Sequence, residues 1–214
     1  MFLDRSEAGQ KLAKRLLGFK DEKPVILALP RGGVPVATEV AAALQAPLDL
    51  LLVRKIGAPH HAELAVAAVA DGEKPRLVVN RDVVDSLKVD DDYLRAAAQR
   101  ELAEIERRRQ RYDIGQPHPD VKGRTVIVVD DGIATGATAK AALALLRAAA
   151  PKSIILAIPV AASTTLEEFK GLADHIVCLE TPPDFYAVGA HYREFPQVSD
   201  EQVIRLLKSV APPA

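Results

Sequence analysis

The run Val126-Ile127-Val128-Val129 is apolar at every position and ends on two carboxylates, Asp130 and Asp131. A strand with one wet face alternates apolar and polar side chains. A run with no polar position needs cover on both faces, which is how strands of parallel sheets are housed. Residues 24–29, 48–53 and 153–160 are further short runs, apolar but for Asp49 and Ser153, that read as buried strands, and 175–179 is a fifth strand. Helical stretches separate them: 5–18, with Leu12, Leu16 and Leu17 on one side, 34–45, a long helix from about 90 to 112, and the Ala/Leu-rich stretch up to about 149. Short helices are expected at 166–172 and 200–210, and loops at 54–65 and 180–198. Residues 66–70 and 77–80 are weaker strand candidates. Short buried strands alternating with helices give an α/β fold, a mostly parallel central sheet flanked by helices.

Composition narrows the function classes. The 28 Lys and Arg nearly balance the 29 Asp and Glu, for a formal net charge of −1. No global basic field exists to hold nucleic acid or an anionic membrane, so neither is expected as a partner. No apolar run approaches membrane-spanning length, and charge breaks the first residues before a secretory segment can form. The single cysteine, Cys178, lies in the apolar run Ile176-Val177-Cys178-Leu179 and reads as a buried small hydrophobe. These features make a cytoplasmic location the expectation.

The chemistry concentrates between Val126 and Thr138. A buried strand ends, two acids follow, and a loop of small residues opens a helix. In open α/β sheets ligands bind beyond the carboxyl ends of strands. The backbone N–H groups at the helix start favour an anion. Thr135 and Thr138 add hydroxyl donors, and Gly136 lets a phosphate approach the backbone. Asp130 and Asp131 are wrong for phosphate but suit neutral hydroxyls or a hydrated cation. A ligand with a phosphate at one end and a diol nearby, such as a ribose 5-phosphate, meets both demands. Neither a P-loop nor a dinucleotide fingerprint fits the same residues.

The stretch from Val126 to Thr138, four apolar residues, an acidic pair, a short spacer and Thr-Gly-Ala-Thr, resembles the signature of type I phosphoribosyltransferases, which bind phosphoribosyl pyrophosphate (PRPP). The resemblance implies a Rossmann-like type I fold. It also implies one domain over residues 1–214: a core of about 20–180, a small hood from C-terminal segments at about 180–214, and the helix 90–112 as an insertion. By that resemblance Asp130 and Asp131 hold the ribose hydroxyls and, through water, Mg²⁺ as cofactor. Ala134, Thr135, Gly136, Ala137 and Thr138 hold the 5-phosphate. Arg31, Gly32 and Gly33, in the turn after the first core strand, resemble the family's pyrophosphate loop; a fixed guanidinium suits a pyrophosphate oxygen. Arg54 and Lys55 fall where the family carries a basic pair before a mobile loop, here 54–65. Adenine-type members usually carry a further lysine where this chain has Ala58, which leaves Lys55, His60 and His61 as candidates for the loop's cation. A zinc site on His60 and His61 would have only Glu63 nearby to complete it.

The resemblance implies transfer of the 5-phosphoribosyl group of PRPP to a nitrogenous base with release of pyrophosphate, in a homo-oligomer, a dimer. Ala134 stands where hypoxanthine-guanine enzymes usually place an acid, which favours adenine, uracil or competence-type relatives. Base recognition is expected from 181–189, with Phe185 and Tyr186 either stacking on the base or packing the loop onto the domain. A non-enzymatic PRPP or nucleotide sensor on the same fold is the alternative. A hydrolase using Asp130 as nucleophile lacks the lysine and further acids it would need. The arginines at 107, 108, 109 and 111 follow Glu101, Glu104 and Glu106 and read as a solvated helix face, or a lid or dimer contact, rather than an RNA-binding surface, with Glu104 and Arg108 as an i,i+4 pair.

Overall fold

The computed structural model describes residues 1–59, 61–70, 76–112 and 118–210. In chain order the elements are α1 (Arg5–Leu16), β1 (Val25–Ala28), α2 (Gly33–Leu44), β2 (Leu48–Leu50), β3 (Val53–Ala58), β4 (His61–Ala70), β5 (Arg76–Val79), α3 (Arg81–Leu87), α4 (Asp91–Tyr112), β6 (Thr125–Val129), α5 (Ala137–Arg147), β7 (Ser153–Val160), α6 (Ser163–Glu167), β8 (His175–Glu180) and α7 (Asp200–Ser209).

Five strands make one parallel sheet in the order β2-β1-β6-β7-β8. Every residue of β6 is buried, as its apolar run demands. Its side chains split by alternation: Ile127 and Val129 join the core shared with α1, α2 and α7, while Val126 and Val128 join the core shared with α5. Strand β1 divides the same way, with Ile26 and Ala28 on one side and Val25 and Leu27 on the other. The expected mostly parallel α/β sheet covered on both faces is therefore the fold of the chain.

Two parts depart from the expected map. Residues 48–53 do not form one strand. The parallel strand β2 stops at Leu50, and Val53 begins an antiparallel sheet of order β3-β4-β5. The segment 54–65, expected as a loop, lies largely in the hairpin arms of this second sheet. Gly57 and Pro59 signalled a loop. In the structure Gly57 sits at a register irregularity of β3, which absorbs the break without ending the strand. Helix α3 was not expected either. It is seven residues long, and the Asn80 side chain caps it by accepting from the Val83 N–H.

The second sheet lies between two helices. On one side α5 packs through Leu145 and Ala141 against Ala68, Ala70, Val53 and Val78. On the other lies α4, whose Tyr93 hydroxyl donates to the Gly57 carbonyl at 2.8 Å. The arginines near the end of α4 are used inside the chain. Arg107 and Arg108 both bind Glu104, the latter as the expected i,i+4 pair. Arg109 binds Asp49 on β2, and Arg111 binds Asp200 and Glu201 at the start of α7. Among the described residues no helix is long and apolar enough to cross a membrane.

Because Ile127 is completely buried at the centre of the sheet, Ile127→Ala is expected to lower the unfolding free energy by about 2–5 kcal/mol. Urea denaturation checks this: the midpoint should fall with the slope unchanged.

Candidate functional site

The strand order reverses between β1 and β6, since the chain leaves β1 for β2 on one side and returns to β6 on the other. Crevices at such reversals, beyond the carboxyl ends of the strands, are where open α/β sheets bind ligands. Ala28 and Val129 are register partners at the ends of their strands, and the Leu29 N–H still donates to the Val129 carbonyl at 2.9 Å. The turn carrying Arg31, Gly32 and Gly33 therefore lies directly against Asp130 and Asp131.

The contact is close enough to exclude side chains. A Cβ on Gly32 would stand 2.1 Å from the Asp131 Oδ2, and one on Gly33 would stand 2.6 Å from the Val129 carbonyl oxygen. The Pro30–Arg31 peptide in this turn is cis.

The acids are held unequally. Asp131 Oδ2 accepts from Arg5 Nε at 2.8 Å, in a pair whose side chains are 10% and 13% exposed. The Asp131 carbonyl accepts the Tyr192 hydroxyl at 2.5 Å. Asp130 accepts the Asp131 N–H at 2.9 Å. Burial, and then the charge of Asp131, push the Asp130 carboxyl well above the usual carboxylate range.

The loop after the acids presents backbone to solvent. Ala134, Thr135 and Thr138 are exposed. Among the described residues the N–H groups of Thr135, Gly136, Ala137 and Thr138 find no acceptor. Gly136 caps α5 at φ +71°, a left-handed conformation that glycine adopts without strain. The Thr165 hydroxyl donates to the Ala134 carbonyl at 2.8 Å and pins the loop from behind. The result is a row of free donors at a helix N-terminus, the arrangement that binds phosphate.

Residues 3–193 match the phosphoribosyl transferase domain family. The chain belongs to that family. Two proteins of Mycobacterium tuberculosis named "Putative phosphoribosyl transferase" are each 46% identical to it over 207 residues, covering 97% of this chain and 46% of theirs. The chain thus spans about half the length of the curated relatives it matches. The solved structure of TT1426 from Thermus thermophilus superposes with a TM-score of 0.89 at 42% identity, over 99% of both chains. A hypothetical protein from Neisseria gonorrhoeae, solved with bound ppGpp, shares the fold at a TM-score of 0.50 and 12% identity, over 98% of both chains.

Within this phosphoribosyl transferase domain the expected residues do not all line one cavity. Arg31, Gly32 and Asp131 meet in one open cavity of about 520 Å³, walled by Arg5 and by Val188, Phe195 and Val198. Arg31 itself leans on Asp200 at 3.5 Å. Arg54 stands at a second, narrow cavity with Pro30, Thr138 and Arg108, and its Nε binds Glu101 at 2.6 Å. Successive side chains on a strand face opposite ways, so Lys55 is directed away from Arg54 and does not line that cavity. His61 is exposed on β4, while His60 and the Glu63 side chain lie outside the described residues.

The rings offered for base stacking sit elsewhere. Phe185 stacks on His191 at 5.3 Å and packs near Phe2, Val160 and Tyr192, while Tyr186 is 89% exposed. Neither lines the cavity of Arg31 and Asp131; Val188 and Phe195 do. Cys178 is part-buried, and burial pushes its thiol up to about 11, so it stays protonated at neutral pH.

Arg5 was missed by reasoning from motifs. The signal was present: Arg5, Ala8, Gly9, Leu12 and Leu16 form the buried stripe of α1 at helical spacing, with an arginine at its head. A charge on an apolar stripe asks for a buried partner.

The raised pKa of Asp130 has a consequence for stability. The folded chain holds the proton more tightly than the unfolded chain, so stability is lost as pH rises from the unfolded value, about 3.9, towards the raised folded value. Asp130→Asn removes that penalty. It is expected to stabilise the ligand-free protein at neutral pH, with the gain vanishing below about pH 4. Urea unfolding of both proteins from pH 3 to 8 reads it out; a constant difference across that range would contradict the assignment.

Proposed function

We propose that this chain is a Mg²⁺-dependent phosphoribosyltransferase that transfers the 5-phosphoribosyl group of PRPP to a nitrogenous base. The observation that carries the reading is the meeting, at the reversal of strand order, of three unlike groups: free N–H donors at the start of α5, the acids Asp130 and Asp131, and the Arg31 turn. An anion at one end, a diol in the middle and a second anion beyond it describe PRPP.

In this reading Thr135, Gly136, Ala137 and Thr138 bind the 5-phosphate through backbone N–H groups and hydroxyls. Asp130 and Asp131 accept from the ribose hydroxyls. Arg31 gives up its long, part-exposed pair with Asp200 for the pyrophosphate, since such pairs are worth about 1 kcal/mol or less. Arg54, at the cavity of Thr138, adds positive charge on the phosphate side. The bond between the anomeric carbon and pyrophosphate breaks as the lone pair of a base nitrogen forms the new C–N bond. Pyrophosphate leaves with the bonding electrons, and the base nitrogen releases its proton. Charge on the leaving group is what the site must neutralise.

The acidic pair also fits a magnesium site. Both groups are hard oxygen donors, and burial with a neighbouring carboxylate drives the Asp130 carboxyl upward despite the Arg5 guanidinium beside the pair, so the pair has room for further positive charge. Mg²⁺ bound there through water would supply Lewis-acid charge to the pyrophosphate.

The test combines calorimetry with PRPP and Mg²⁺ and an assay of pyrophosphate release over a panel of bases. The wild type is expected to bind PRPP and release pyrophosphate with one class of base. Asp130→Asn/Asp131→Asn should weaken PRPP binding by about a hundredfold, the scale of two lost charge-assisted hydrogen bonds. Tight binding without turnover on any base would favour the sensor. No heat with PRPP at all would end both readings.

A further inference from the structure

We propose that Arg5 is the positioning residue of the acidic pair: it fixes the Asp131 carboxylate and ties it to the C-terminal segment 195–198 that walls the cavity. The proposal rests on the reading of Asp130 and Asp131 as the ribose-binding acids.

Arg5 lies more than a hundred residues from the motif, yet among the described residues it is the one charged side chain buried to the degree of the core, at 9% exposure. Burying a guanidinium is costly unless each edge finds a partner. Here Nε donates to Asp131 Oδ2 at 2.8 Å, Nη1 donates to the Pro196 carbonyl at 2.7 Å, and the guanidinium carbon lies 3.7 Å from the centre of the Phe195 ring. A planar fork can donate from two edges and stack at once; an ammonium cannot. These three partners therefore call for arginine rather than for positive charge alone.

The same oxygen of Asp131 is hemmed from the other side. Oδ2 is the atom that a Cβ on Gly32 would strike, so the carboxylate lies between the Arg31-Gly32 turn and Arg5. The Tyr192 hydroxyl holds the backbone of the same residue. The carboxylate has one place to be. A group that must meet two vicinal hydroxyls gains from being held before the ligand arrives, because the ordering cost is already met.

Arg5 begins α1, whose start is set by Asp4, the N-cap that accepts from the Glu7 N–H at 2.8 Å. The helix packs along α2 and under β7 and β8. The clamp thus has a rigid base on the domain. Its second hand, on Pro196, reaches the segment just before α7. Asp200, the partner of Arg31, is in the first turn of that helix. The acid and the pyrophosphate arginine are in this way tied to one C-terminal segment.

Calorimetry with PRPP and Mg²⁺ on the full chain tests this, run on wild type, Arg5→Lys, Arg5→Met, Asp131→Asn and Arg5→Met/Asp131→Asn, with thermal melting to confirm the fold. Arg5→Met should weaken PRPP binding about tenfold or more, the scale of one charge-assisted hydrogen bond, and Arg5→Lys should recover part of the affinity. In the Asp131→Asn background Arg5→Met should cost little further, because its effect passes through that carboxylate. A folded Arg5→Met with wild-type affinity overturns the proposal. So does a loss that adds in full to that of Asp131→Asn, which is the mark of a merely structural residue. If Arg5→Met does not fold, Arg5→Lys takes its place in the same comparison. A wild type silent towards PRPP overturns the PRPP reading, and the proposal is then decided by thermal stability: non-additive effects of Arg5→Met and Asp131→Asn uphold it, additive ones overturn it.

Discussion

The parallel pairing of β1 with β6 is the contact on which the site depends. It sets the carboxyl ends of two strands side by side, with Ala28 opposite Val129, and leaves the two following loops no choice but to touch. Everything chemical in the site follows from that adjacency. The turn after β1 must be side-chain-free where it meets Asp131, so residues 32 and 33 are glycines. The loop after β6 must end in a helix whose first N–H groups stay unbonded, so α5 begins at a left-handed glycine rather than at a capping serine or aspartate. A side-chain cap there would satisfy donors that the phosphate reading leaves for the ligand.

Such adjacency has an electrostatic cost. Two acids next to each other at the edge of a buried sheet repel, and burial compounds the effect on Asp130. The structure relieves one of them with Arg5 and leaves the other strained upward. That asymmetry fits a pair with two duties. The held acid has a fixed direction and suits recognition of hydroxyls. The strained acid is short of positive charge and gains most when a cation or a donor arrives. Strain of this kind destabilises the empty chain and is released on binding, which couples ligand affinity to fold stability.

Legibility in the sequence tracked burial. The strands of the main sheet could be read because Val126 to Val129 and 154–158 have no polar residue to mislead. The second sheet was harder. Its strand β4 is half alanine, a residue poor in strand signal, and Gly57 and Pro59 look like punctuation. What makes these residues a sheet is the helix packed on each side, which is tertiary context that a local reading does not contain. The acidic pair and the two glycine-bearing loops were legible because their spacing is local. Arg5, Phe195 and Pro196 were not, because their connection to Asp131 runs through the fold. Phe185 and Tyr186 were singled out because they fall in the segment 181–189 that the resemblance assigns to base recognition, and position in a segment does not say which ring faces a cavity.

The cations of the site differ in how firmly they are held, and that difference bears on what each can do. Arg5 is buried, bonded on two edges and stacked; moving it would expose an unpaired carboxylate to low dielectric, which costs several kcal/mol. Arg31 is part-exposed and rests on Asp200 at 3.5 Å, a carboxylate already serving Tyr112 and Arg111. Leaving such a partner costs about 1 kcal/mol or less, and Asp200 stays satisfied when Arg31 departs. In the proposed reaction a multiply charged pyrophosphate would offer a bidentate bond in exchange, stronger than the one given up. The fixed arginine therefore suits holding an acid in place, and under the proposed reaction the loosely held one suits following a leaving group. Interchanging them would fail on both counts, since a mobile Arg5 would free Asp131 and a fixed Arg31 could not close on an anion.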